Sequence, residues 1–106
     1  MSDVKNREYA VFWPRGRRHV PVQLLAPRLA TLAGKTLACL WNFLFKGDAV
    51  FALLEERLAA QFPGVRFVSW REFGNTHGSG ERDVLAALPR RFQELGVDAV
   101  ISAMGC

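Results

Sequence analysis

The sequence predicts an α/β fold: a partial doubly wound (flavodoxin-like or Rossmann-like) three-stranded parallel sheet with an N-terminal arm. Three observations predict it. Residues 36–41, 65–70 and 97–103 are short apolar runs. Two stretches of helical spacing separate them. Alternation of this kind gives parallel strands joined by right-handed crossovers. The first run is expected in the middle of the sheet, with the second and third beside it.

The chain of 106 residues has the length of one small domain, and half of it is hydrophobic, enough to build a core. We divide it into an extended arm, 1–33, and a β-α-β-α-β half-domain, 34–106. Tyr9 to Trp13 reads as a short strand that Pro14 ends. Pro21 and Pro27 each disfavour helix in the residue before them, so the following stretch is extended. The arm is expected to lie across the domain, held by Phe12, Trp13, Val22, Leu24, Leu25, Leu29 and Leu32.

Residues 36–41 form a buried strand in which Cys39 fills the core. Asp48 is placed as the N-cap of the next helix, whose apolar positions are Val50, Phe51, Leu54, Leu58 and Phe62. Pro63 and Gly64 stop it. After the second strand and a polar loop, Val84, Leu85, Leu88, Phe92 and Leu95 form a second stripe, and Gly96 ends it. Pro89 falls inside this stripe, which predicts a kink or two short helices meeting at Leu88 and Pro89. The last run, VDAVISAMGC (97–106), reads as a strand covered on both faces. With only two crossovers, Val100, Ile101, Leu37 and Leu40 are expected to lack part of their cover.

The net charge of +4 is modest, and 14 basic residues mix with 10 acidic ones. The local cluster Arg15, Arg17, Arg18 and His19 carries no nucleic-acid-binding motif, so no nucleic acid is expected as a partner. Two cysteines, Cys39 and Cys106, make no disulfide framework and no metal spacing. The first residues lack the apolar core of a signal peptide, and no apolar run is long enough to span a membrane. A cytoplasmic location without membrane association is the expectation. No cofactor and no metal is implied.

In a parallel sheet the loops after the strands gather on one edge, where sites form. That edge would collect Asn42, Phe45, Lys46 and Gly47 from the first loop. The second would give Arg71, Glu72, Asn75, Thr76 and His77, and the third Ser102, Gly105 and Cys106. His77, between Asn, Thr and glycines, reads either as a proton carrier or anion contact or as part of a turn in which Asn75 and Thr76 bond their own backbone. Lys46 and Gly47 precede a helix N-terminus, a place that suits an anion, though no phosphate-binding motif is present. Cys106 is the candidate nucleophile. A helix following it would lower its pKa, whereas a terminal carboxylate would raise it. The candidate catalytic residues are Cys106 and His77. The candidate substrate contacts are Asn42, Lys46, Gly47, Asn75, Thr76, Ser102 and Gly105, for a small anionic or thiol substrate.

The segments LAPRL (25–29), GKT (34–36), FKGD (45–48), FGNTHG (73–78) and GVDAVISAMGC (96–106) resemble the UGSC family of selenoprotein-like proteins. The resemblance covers about the last four-fifths of the chain. It implies that the Gly-Cys pair is followed by selenocysteine or cysteine and then Gly-Ser-Cys. Selenocysteine is encoded by UGA, ordinarily a stop, so the resemblance implies an N-terminal portion ended at that codon. The alternatives are a genuine short protein and a deliberately shortened one. The resemblance also implies thiol or selenol redox chemistry of unassigned substrate, with this portion inactive alone. Two other readings stand beside it. An Asp/Glu racemase-like enzyme would use cysteines as acid and base, and a non-catalytic module would bind a partner, or a second copy of the chain, along an open sheet edge.

Overall fold

The computed structural model describes residues 8–14, 16 and 21–105. Its elements run β1 (Thr36–Trp41), α1 (Gly47–Gln61), β2 (Arg66–Val68), a 3₁₀ turn (Trp70–Glu72), α2 (Glu81–Leu95) and β3 (Ala99–Ala103). The sheet order is β2-β1-β3, and both pairings are parallel. The expected α/β class and the central place of the first strand are therefore observed.

The side-chain alternation of β1 sends its two faces to different helices. Cys39 and Trp41 pack with Phe51 and Leu54 of α1, joined by Phe67, Trp70 and Ile101. Ala38 and Leu40 pack with Phe73, and Leu88, Phe92 and Leu95 of α2 close over them. One helix per face is the doubly wound arrangement. It buries all six residues of β1, and so explains their almost unbroken apolar character.

The flanking strands are tied to the start of β1. The Thr36 N–H donates to Asp98 Oδ2 at 2.9 Å, and the Asp98 N–H returns to the Thr36 carbonyl at 2.8 Å. On the other side, the Arg66 guanidinium donates to the Thr36 hydroxyl at 3.1 and 3.2 Å. Gly96 closes α2 in the left-handed region (φ 63°), with the Val97 N–H bonded to the Phe92 carbonyl, as its glycine predicts.

Several local expectations are corrected. Tyr9 to Trp13 forms no strand, and the described part of the arm does not pack on the domain: Phe12 and Val22 are 99% exposed and Leu24 and Leu25 nearly so, while Arg15, Arg17, Arg18 and His19 lie outside the described residues. Among the described arm residues, Leu32 and Ala33, next to the domain, are half-buried. The N-cap of α1 is Lys46, without a side-chain bond, and Asp48 sits inside the first turn, where its charge still suits the helix dipole. The helix starts early because Gly47 fits beneath the Trp41 indole. Strand β2 stops at Val68, since the Ser69 hydroxyl accepts the Arg71 N–H and starts the 3₁₀ turn. Helix α2 runs unbroken through Pro89, which lies on an exposed stretch where water can reach the Leu85 carbonyl that a proline leaves unbonded.

Strand β3 is covered mainly on one face. Ile101 and Ala103 join the core beside α1, whereas Val100 is 40% exposed and Ser102 is exposed. Val100 thus lacks cover as expected, but Leu37 and Leu40 are buried. Among the described residues, no helix is long and apolar enough to cross a membrane.

Candidate functional site at the strand ends

The carboxyl ends of the strands meet around Asn42. Its backbone N–H bonds the Ala103 carbonyl at 3.1 Å, extending the β1–β3 ladder by one step. Its side chain then takes both polar groups of Met104: Nδ2 donates to the carbonyl at 2.5 Å, and Oδ1 accepts from the N–H at 3.1 Å. Asn42 Oδ1 also accepts the Leu44 N–H at 3.3 Å. One amide therefore fixes its own loop and the segment leading to Gly105 and Cys106.

The second loop joins on the other side of β1. Asn75 forms a parallel bridge with Trp41, and the Thr76 N–H donates to the Trp41 carbonyl at 3.3 Å. Asn75 Oδ1 accepts the His77 N–H at 2.9 Å, the local turn expected of an Asn in this position. The His77 imidazole remains free to meet solvent, 64% exposed, with Nδ1 3.8 Å from Glu81 Oε2. The turn and an available imidazole coexist.

Sequence-chosen residues thus divide into groups. Asn42, Asn75 and Thr76 are brought together through Trp41 and Met104. His77 and Gly105 continue from them as exposed positions. Lys46 is exposed at the head of α1, and Ser102 is exposed on β3. Gly47 is buried: a Cβ there would come 2.5 Å from Trp41 Cδ1, so its missing side chain serves packing. Cys106 lies outside the described residues.

An aromatic group on the same edge carried no local signal. The ring centroids of Trp41 and Trp70 are 4.7 Å apart, and Phe43 lies 4.8 Å from the first and 5.4 Å from the second. The Trp41 indole N–H donates to the Leu44 carbonyl at 2.9 Å and pins the loop. Only the tryptophans that end the first two apolar runs, Trp41 and Trp70, hinted at this cluster.

The other thiol is kept away from the edge. Cys39 is 1% exposed in mid-β1, and burial, helped by the nearby Glu55 carboxylate, pushes its pKa up to about 12. It is a neutral core thiol, as expected, and is unsuited to serve as a second acid or base beside the site. Among the described residues there is no enclosed cavity and no cluster of three His, Cys, Asp or Glu side chains that could hold a metal.

The comparisons with known proteins now add a family. The model of the UGSC family matches residues 10–106. The chain belongs to the UGSC family. The UGSC match takes in the arm from residue 10 as well as the whole β-α-β-α-β unit. No curated protein and no solved structure matches the chain significantly.

Proposed function

We propose that the carboxyl edge of this sheet serves a thiol- or selenol-based redox reaction, with Cys106 beside the reactive pair and His77 as proton carrier. One observation carries the reading. Asn42 grips both backbone groups of Met104, two residues before Cys106, on the edge that also holds Asn75 and His77. A reactive sulfur or selenium needs a rigid, solvent-reachable support of this kind. The pair itself would be the selenocysteine or cysteine, and the cysteine, that the family pattern sets after Gly-Cys.

In this reaction one member of the pair, as thiolate or selenolate, attacks a substrate disulfide. The substrate S–S bond breaks and a mixed bond forms. The departing thiolate takes a proton delivered by His77. The second member of the pair then attacks the mixed bond and releases the other half of the substrate as a thiol. The substrate gains two electrons, and the pair loses two as it closes into a disulfide or selenylsulfide. A thiol reductant reopens it.

The test uses the chain extended after Cys106 by Cys-Gly-Ser-Cys, with glutathione disulfide as substrate and dithiothreitol as reductant. Turnover above the uncatalysed rate is expected. It should vanish when both added cysteines become alanine and fall with His77→Ala. No turnover, together with no oxidation of the added pair, would contradict the reading.

A further inference from the structure

One flank of the strand-end edge holds side chains that the redox reading leaves unused. Phe43 and Phe45 both sit in the left-handed region, at φ 61° and 57°. Glycine takes this conformation freely, whereas a bulky side chain is strained there. Packing repays the strain only in part. Phe43 contacts Trp41 and Trp70 yet stays 45% exposed. Phe45 is 70% exposed. Strain held without burial points to a use for the rings in solvent.

Charge supplies the second observation. The Arg71 guanidinium lies over Trp70, 4.4 Å from the ring centroid, and Phe43 meets the same ring edge-on. One Arg71 Nη1 hydrogen donates to Ser69 Oγ at 3.3 Å, and stacking holds the guanidinium in place while leaving its other N–H groups able to donate. Lys46 directly follows Phe45. Among the described residues, no carboxylate lies within ion-pair distance of Arg71 or Lys46.

We propose that Phe43, Phe45 and Trp70, with Arg71 and Lys46, bind the planar ring and carboxylate of a small aromatic acid at the strand ends. The ring packs on the two phenylalanines. The carboxylate accepts from Arg71, and Lys46 adds attraction. This names a ligand class for the edge, the aromatic carboxylate that a substrate would present there, and rests on reading that edge as the site. Binding is therefore measured without turnover, so that each reading can fail alone.

The experiment is isothermal titration of the 106-residue chain with benzoate and, separately, with cyclohexanecarboxylate, which has the same charge and no π face. Saturable benzoate binding is expected, with cyclohexanecarboxylate ~10-fold weaker. Arg71→Gln should weaken benzoate ~10-fold through loss of the charged donor. Phe45→Gly should weaken benzoate while raising the melting temperature, because it removes ring and strain together. Absence of saturable benzoate binding would overturn the proposal. Equal binding of the two acids would also do so, as would unchanged affinity in both variants.

Discussion

The Asn42 side chain holds Met104 by its N–H and its carbonyl at once, across 62 residues of sequence. The bonds are part-buried, and a protein hydrogen bond contributes on the order of 1 kcal/mol net. Asn42→Ala should therefore cost roughly 1–3 kcal/mol in chemical denaturation. Amide exchange at Met104 should quicken more than at Ala38, in the centre of β1. Asn42→Asp keeps the acceptor and loses the donor, so it should fall between the two. Equal exchange at Met104 in wild type and Asn42→Ala would refute this role.

Gly47 and Trp41 are a matched pair. A Cβ at residue 47 would stand 2.7 Å from Trp41 Cε2, and Trp41 is a buried part of the core beside α1. Gly47→Ala should destabilise the fold by roughly 1–3 kcal/mol through overpacking, despite alanine's better helix propensity. A higher melting temperature for this variant would show that the indole moves at little cost.

Cys39 makes stability depend on alkaline pH. Its folded pKa is about 12 against an ordinary 9.0. The unfolded thiol ionises first, so the contribution is complete below the unfolded value and is lost as pH rises from there through the folded one. Denaturation midpoints should fall progressively over that window, and Cys39→Ala should flatten the fall. Iodoacetamide at neutral pH should leave Cys39 unmodified until the protein unfolds. Rapid alkylation of Cys39 in the folded protein would contradict its burial.

His77 contributes little to the fold. Its imidazole is mostly exposed, and its nearest charged neighbour, Glu81, is 3.8 Å away and also exposed. Exposed pairs of this kind are weak. His77→Ala should change stability by less than ~0.5 kcal/mol, because Asn75 bonds only the backbone N–H of residue 77. Glutathione disulfide reduction by the extended chain should nonetheless fall. A large loss of stability with unchanged turnover per folded molecule would make His77 structural.

The parts of the fold legible in the sequence are those that local chemistry specifies. Strand β1 is bounded by Gly34 and by Asn42, and Gly96 stops α2 because only a residue at ease with positive φ closes that turn. The parts that were not legible depend on tertiary neighbours. Helix α1 begins at Gly47, not at an Asp48 cap, because the Trp41 indole arrives from the sheet. Ser69 cuts β2 short through one side-chain bond. Helix α2 absorbs Pro89 on its exposed side. At the site, the convergence of Asn42, Asn75 and Thr76 followed from parallel topology alone. The grip on Met104 did not, since a bond across 62 residues leaves no pattern in either segment.

The most direct test of the redox account is the equilibrium of the extended chain with reduced and oxidised dithiothreitol, read by mass spectrometry after alkylation. The account predicts one two-electron couple that joins the added residues and leaves Cys39 reduced, with a tenfold change in redox ratio per ~30 mV. Asn42→Ala should shift its midpoint, because the support under Met104 and the residues after it is released. Added cysteines that stay independently alkylated at every buffer ratio would contradict the account.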